Sequence, residues 1–361
     1  MSKSMGMPSI DVVFTEKANT SIRMAERGIM AIAVKDASQV ENGQAYMLLS
    51  AADIPETLSD ENKSYIERGF IGYVNPPRKI YLYVLPEAVE NLNEALAYFE
   101  TVRFDYLVGP PDLEETEAEE VEKWIKAQWG NDSTPRAVLP HKASDFAPIV
   151  NFTTDEIKAG DDTYTAAQYC SRMAGMICGT PLTISCTSAP LPEVEDVKRM
   201  TRSEMDTAVD NGEFIIWHDG EKVKIGRGVT SLKTVTERQG VSYKKIKIID
   251  TISQIKTDLK LTLQDTYQGK YPNSYDNKCL LITALQNYFS VMEQEGILQA
   301  GFSTVEIDID KQRAYLRENG VDVESMSEDE IKKAATGSHV FLKASIHILD
   351  AIEDIAIEIT I

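Results

Sequence analysis

The stretch Phe104-Asp105-Tyr106-Leu107-Val108-Gly109-Pro110-Pro111-Asp112-Leu113-Glu114-Glu115 holds a strand, a forced turn and a helix start in immediate succession. An apolar run this short, closed by glycine and two prolines, reads as a buried strand. Proline lacks the N–H that would continue a ladder, so the chain must turn. Asp112 with Glu115 three residues later predicts the N-terminus of a helix whose inner face carries Val121, Trp124, Ile125 and Trp129. Strand, turn and helix repeated in this way specify a layered α/β domain with a largely parallel sheet.

The same alternation extends both ways. Upstream, 29–34 and 80–85 are apolar runs that predict strands, and Pro86-Glu87 predicts a helix through Tyr98 with Val89, Leu92, Leu96 and Phe99 on one face. Downstream, 137–139 and 149–152 predict two more strands, and a helix over 165–177 stops at Gly179 and Pro181. Past about Asp196 the pattern changes. The runs 214–217 and 223–225 flank Asp219-Gly220, residues that accept the positive φ of a hairpin turn. Lys244-Lys245-Ile246-Lys247 reads as the solvent face of a strand, and long amphipathic helices are expected over 249–267 and 277–295. A strand at 304–309, a helix over 311–318, another helix capped by Ser327 with Glu330, and a strand at 340–349 complete an α+β half. The expected division is 1–21 as an N-terminal arm and tether, 22–196 as an α/β domain, 197–349 as an α+β domain and 350–361 as a C-terminal strand arm.

Both ends of the sequence carry strand patterns. Ile355-Ala356-Ile357-Glu358-Ile359-Thr360-Ile361 alternates apolar with small or polar residues, and Ile10, Val12 and Phe14 alternate with Asp11 and Val13. Polar residues follow the first of these, Thr15, Glu16, Lys17, Ala18, Asn19, Thr20 and Ser21, without an apolar period of their own. Such strands need a sheet edge. Two readings fit the pattern: the strands complete the protein's own sheet, or they pair with neighbouring copies, as in a polymer joined by strand exchange.

Composition narrows the function. At 361 residues and 43% hydrophobic content the chain can bury a large core, and its length favours two domains. No apolar run approaches the ~18 residues of a membrane span, and residues 1–9 lack the apolar segment of a signal peptide, so synthesis in the cytoplasm is expected. A net charge of −20 would repel nucleic acid and anionic lipid, and no basic patch offsets it. Four cysteines without a CxxC pair suit a reducing compartment.

Catalytic motifs are sparse. Gly226-Arg227-Gly228 lacks the third glycine and the strand-helix setting of a dinucleotide site, and reads instead as a bulge or tight bend after a hairpin. Cys170 and Cys178 lie about 12 Å apart along one helix at ~1.5 Å per residue, too far to share a zinc ion, so Cys170, Cys178 and Cys186 read as buried thiols. His141, His218, His339 and His347 are scattered. An enzyme remains the alternative: the carboxyl ends of the sheet strands would carry Glu87, Asp112, His141 and Asp145, a histidine with carboxylates suited to acid/base work. The plainer reading is that these are turn and capping residues. No cofactor, metal or catalytic residue is therefore expected.

Several strings carry a family likeness: Gly226-Arg227-Gly228-Val229-Thr230-Ser231-Leu232, then Lys245-Ile246-Lys247-Ile248-Ile249-Asp250 entering a long helix, Val305-Glu306-Ile307-Asp308-Ile309, and the ending over 340–361. Tyr169-Cys170-Ser171-Arg172-Met173-Ala174-Gly175-Met176, leading to Ser188-Ala189-Pro190, adds to it. Together they resemble the contractile tail sheath proteins of phages, in the compact two-domain form of phage-like elements and phage-tail-like bacteriocins. The resemblance implies a non-enzymatic structural subunit whose α/β domain projects outward and whose α+β domain lies nearest an inner tail tube. It implies strand arms exchanged between subunits, with Ile10, Val12 and Phe14 in one and Ile355, Ile357, Ile359 and Ile361 in the other, and 15–21 as the tether. It further implies hexameric rings stacked into a helical sleeve, partnered by the tube, baseplate and tail terminator proteins in a particle released from the host cell. No nucleic acid, membrane insertion or cofactor belongs to that picture.

Overall fold

The computed structural model describes residues 22–237 and 239–360. Ile10, Val12, Phe14, the tether over 15–21 and Ile361 lie outside them. The chain runs through β1 (Ile29–Asp36), β2 (Gln44–Leu48), α1 (Asp60–Phe70), β3 (Lys79–Pro86), α2 (Asn93–Glu100), β4 (Tyr106–Val108), α3 (Glu115–Gly130), β5 (Arg136–Pro140) and β6 (Ile149–Phe152). A small hairpin of β7 (Ile157–Ala159) and β8 (Asp162–Tyr164) leads to α4 (Ala166–Cys178), and α5 (Arg202–Asp210) delivers β9 (Glu213–Phe214). One seven-stranded sheet results, in the order β2-β3-β1-β4-β5-β6-β9, parallel except where β2 meets β3.

Helices cover both faces, which is why the strand sequences are apolar throughout rather than alternating. In β1, Met30, Ile32 and Val34 face Tyr65 and Ile66 of α1 and Met173 and Ile177 of α4. Ile29, Ala31 and Ala33 face Leu96 and Phe99 of α2 and Val121 and Ile125 of α3. The string around Gly175 has a packing cause. A Cβ at Gly175 would lie 2.0 Å from the Gly69 carbonyl oxygen of α1, and beside it Ser171 Oγ donates to Tyr65 O at 2.6 Å. Only a bare backbone lets α1 and α4 approach this closely.

The second half opens with the hairpin β10 (Ile216–His218) and β11 (Val223–Ile225), followed by α6 (Ile246–Thr262) and α7 (Tyr275–Gln294). Then come β12 (Thr304–Ile307), α8 (Ile309–Glu318), α9 (Glu328–Lys333) and β13 (Leu342–Ser345), the last pairing antiparallel with β12. Phe214, Ile216, Val223, Ile225 and Ile246 all join the core on the α1–α4 face of the large sheet, so that core runs across the expected seam at 196–197. A second core forms around α6 and α7, with Ile255, Leu285, Tyr288, Phe289 and Met292.

Several expected elements differ in detail. Pro86 closes β3, opposite Asp36, and the next residues turn before α2 begins at Asn93, so the helix expected from Pro86 is shorter. Glu114 and Glu117, rather than Asp112 and Glu115, form the capping box of α3. The strand expected at 244–247 is a 3₁₀ turn running into α6, because Ile246, Ile248 and Ile249 are all buried and only a helix seats them together. Asp308 ends β12 by capping α8, its side chain accepting from Lys311 N, which shortens the strand expected over 304–309. The strand expected over 340–349 pairs only across 342–345, with one further bridge at Ile348. The β2 strand and α1 had no counterpart in the sequence reading.

Candidate assembly interface

After β13 the chain makes its last backbone bonds through His347 O and Leu349 N, on either side of a bridge at Ile348, and residues 350–360 then run without backbone pairing among the described residues. The expected strand over 355–361 is thus unpaired across its described residues, and it completes no sheet among the described residues. Ile355, Ile357 and Ile359 are 73%, 78% and 80% exposed. Isoleucines in this state are anomalous beside a core that buries such side chains almost completely.

The departure point of this segment is clamped by charge. The Glu353 side chain is 4% exposed, and its Oε1 accepts from Thr187 Oγ1 at 2.6 Å and Ser185 Oγ at 3.1 Å. Its Oε2 lies 3.1 Å from Lys245 Nζ and 3.7 Å from Arg227 Nε. Asp350 pairs with Lys245, Asp354 pairs with Arg227, and Lys247 Nζ donates to Leu349 O. Burial opposes the Lys245 charge, but Asp350 and Glu353 outweigh it and raise its pKa; burial lowers that of Lys247. The Gly226-Arg227-Gly228 string belongs here. Gly228 N donates to Thr187 Oγ1 at 2.9 Å, and a Cβ at Gly228 would sit 3.0 Å from Cys186 Sγ and 3.1 Å from Ser185 Oγ.

A second polar network ties the large sheet to α6. Asp250 accepts from Arg136 Nη1 at 2.9 Å, Tyr106 Oη at 2.7 Å and Arg27 Nη2 at 2.7 Å. Asp105 accepts from Arg136 Nη2 and from the backbone N–H groups of Gly28 and Ile29. Two arginines thus balance two aspartates at a site where Arg136 and Asp250 are nearly fully buried, as a charge in the interior requires. The entering chain is pinned further along α6. Ala25 N donates to Asp258 Oδ1 at 2.6 Å, Arg23 N donates to Thr262 Oγ1, and Ile22 joins the α6–α7 core. Burial raises the pKa of Asp258, whose other oxygen accepts from Tyr288 at 2.7 Å.

Beside that entry lies an open groove of about 910 Å³, walled by Leu281, Leu285 and Phe289 of α7 and by Val305, Leu342 and Ala344 of the β12–β13 ribbon. Each ribbon strand has one unpaired edge among the described residues. The structure therefore brings together a short sheet, an apolar groove and an entering segment, and sends an exposed isoleucine segment away from the same half of the molecule.

A tail sheath protein of Clostridium phage phiCD119 is 37% identical over 98% of this chain and 99% of its own length. The chain belongs to the phage tail sheath family. The family model for the phage tail sheath C-terminal domain matches residues 238–361, which hold α6, α7, the β12–β13 ribbon and the exposed segment. Among solved structures, the contracted helical sheath of the anti-feeding prophage has the same fold, with a TM-score of 0.73 at 16% identity over 99% of both chains. The contracted sheath complex of PVC, an extracellular contractile injection system, superposes with a TM-score of 0.69 at 13% identity, covering 99% of this chain and 98% of that one. The protein is a structural subunit of a tail sheath.

Within this sheath protein the residues of the enzyme alternative do not converge. His141 Nε2 lies 2.9 Å from Asp155 Oδ2, with both side chains about half exposed, and neither Asp112 nor Glu87 is its partner. Asp145 serves as a cap: Thr234 Oγ1 and the N–H groups of Thr234 and Lys233 hold its carboxyl at about 2. His218 Nδ1 accepts from Gly220 N in the hairpin turn, while His339 and His347 pack on aromatic rings. Cys170, Cys178 and Cys186 are buried thiols whose pKa values burial pushes up, that of Cys186 to about 12. Among the described residues no cluster of His, Cys, Asp or Glu could hold a metal ion. Glu353, Lys245, Arg227, Arg136 and Asp250 were not foreseen as a set. Their partners lie about a hundred or more residues apart, and such pairs leave no periodicity in the sequence.

Proposed function

We propose that the protein polymerises into a contractile sleeve around an inner tube, with strands from its two terminal arms adding to the β12–β13 ribbons of neighbouring subunits. The observation that carries this reading is the segment whose isoleucines alternate, find no partner among the described residues, and leave from a buried ionic clamp. A clamp at the base aims the segment; exposed isoleucines beyond it await a surface. Burying Ile355, Ile357 and Ile359 would contribute about 4–9 kcal/mol at ~1.5–3 kcal/mol each, before ladder hydrogen bonds of about 0.5–1.5 kcal/mol apiece. Several such contacts exceed the cost of ordering a short segment.

Ile10, Val12 and Phe14 supply the other exchanged strand, and the polar tether over 15–21 lets rigid bodies swing while the mesh stays joined. Subunits form hexameric rings that stack helically, with baseplate, terminator and tube proteins as partners, in a particle released from the cell that makes it. Contraction draws on improved burial and charge pairing between bodies, with no nucleotide or cofactor consumed and no contact with nucleic acid. The test is deletion of residues 355–361. The expected product is a folded protein with unchanged circular dichroism that no longer forms long sleeves by electron microscopy. A large loss of helical signal, or sleeves of normal length, would defeat the reading.

A further inference from the structure

One wall of the α7 groove is out of keeping with apolar docking. Lys278, in the first turn of α7, is 3% exposed, and no carboxylate pairs with it among the described residues. Among the described residues its Nζ meets only Gln312 Oε1 at 3.4 Å and Thr336 Oγ1 at 3.2 Å. An ammonium has three hydrogens to place, and a helix N-terminus is itself the positive end of a dipole, so this cation lacks a counter-charge twice over. Burial accordingly lowers its pKa. Next to it, Asn273 Nδ2 shares its two hydrogens among Gly337 O at 2.8 Å, His339 O at 2.9 Å and Thr336 Oγ1 at 3.2 Å, leaving a buried Oδ1 without a donor among the described residues. Both residues line the groove. An extended peptide bearing a carboxylate satisfies both, its side chain at the lysine and a backbone N–H at the amide oxygen.

The geometry points to Lys278 as the receptor for the Glu16 carboxylate of a second copy of this chain, fixing the register of the N-terminal arm in the groove. This rests on the arm-docking reading above and extends its docked strand to Glu16, leaving 17–21 as the swinging tether. Strand periodicity selects the residue: a strand that turns Ile10, Val12 and Phe14 to the groove turns Glu16 to it as well, one step past Phe14, and turns Asp11 away. In the C-terminal arm beyond the clamp, Glu358 lies on the face opposite Ile357 and Ile359. Glu16 therefore combines the needed charge with the needed face. A buried ion pair at one end of an otherwise apolar groove defines register, because a two-residue slip would set Phe14 or Ala18, neither of them charged, against the ammonium.

The test uses the full chain with Cys279→Ser to remove the partly exposed thiol next to the site. Sleeves are assembled from mixed Glu16→Cys and Lys278→Cys subunits, oxidised, and run on a non-reducing gel; a two-chain adduct is expected. A parallel mixture of Val12→Cys and Leu281→Cys reports docking alone. Glu16→Gln and Lys278→Met should each raise the concentration needed for assembly about tenfold or more, and the double variant should return to within about threefold of the parent. Glu16→Lys lies in the arm and spares the folded body, so it keeps the test decisive if substitutions at 278 unfold the domain; it should impair assembly at least as much as Glu16→Gln. Adducts for Val12 with Leu281 but none for Glu16 with Lys278, or equal assembly by all Glu16 variants, would overturn the lysine assignment and leave docking intact. Absence of both adducts would overturn docking and this inference together. A further chain carrying both Glu16→Cys and Lys278→Cys should give linked multimers on oxidation; a monomer closed by its own disulfide would overturn the assignment to a second copy.

Discussion

Replacing Glu353 by alanine separates a contact that positions the arm from one that holds the body together. The substitution removes two hydroxyl hydrogen bonds to a carboxylate, at 2.6 and 3.1 Å, and two ionic contacts at 3.1 and 3.7 Å. Its partners are not stranded. Lys245 keeps Asp350, Arg227 keeps Asp354, and the one hydroxyl hydrogen of Ser185 can turn to Thr187 Oγ1, 2.9 Å away. The loss is therefore the gain of two charge-assisted bonds without a buried unpaired charge, about 3 kcal/mol. Unfolding entropy near ~2.1 cal/mol/K per residue gives a chain of 361 residues about 0.76 kcal/mol/K, so a loss of that size shared by the whole fold lowers Tm by about 4 °C. If the clamp serves only the segment beyond it, Tm moves by less than about 1 °C, and the same 3 kcal/mol appears in assembly as a roughly 150-fold rise in the concentration required. Differential scanning fluorimetry and a sedimentation series on the same preparations measure both, and the second outcome is expected. A 4 °C fall in Tm with unchanged assembly would show that the clamp belongs to the body, and would refute its role in aiming the arm.

Asp250→Asn leaves Arg136 and Arg27 with one carboxylate between them, and should cost about 3–5 kcal/mol, or about 4–7 °C in Tm; adding Arg136→Met should recover part of it, and a double variant worse than the sum of the singles would sink the balanced-charge account. Burial of Asp36 opposes its charge, but bonds from Ser59 N, Asn62 Nδ2 and Ser38 N hold its carboxyl well below the usual range. Because the folded pKa is depressed, the stabilisation is present above the unfolded value of about 3.9 and is lost as pH falls through the folded one, so the Tm gap between wild type and Asp36→Asn should be full at pH 7 and narrow below about pH 4; a gap independent of pH would contradict this. Gly175→Ala should destabilise by about 3 kcal/mol through its clash with the Gly69 carbonyl, whereas Gly69→Ala, whose Cβ meets Met30 and Ile80 at 3.4 and 3.5 Å, should be nearly neutral by urea denaturation; equal effects would show that the helix crossing tolerates a shift.

The sequence by itself determined the parallel sheet, since β1, β3, β5 and β6 are short apolar runs bounded by turn residues, and strands buried on both faces advertise themselves this way. It determined α4, whose Thr165 and Gln168 form a reciprocal cap, and the β10–β11 hairpin, whose turn residues are local. It also determined the alternation over 355–361, because period two needs no knowledge of a partner. Tertiary structure decided the rest. β2 and α1 escaped the reading: Gln44, Ala45 and Met47 are exposed edge residues, and α1 begins among polar ones. The run 244–247 looked like a strand because alternation over four residues cannot be told from the start of a helix, and only the core that receives Ile246, Ile248 and Ile249 chose between them. Glu353 meets Lys245, and Arg136 meets Asp250, across more than a hundred residues. Local pattern fixes which face of an element is apolar, but a buried charge is specified by a partner that only the folded chain brings within reach.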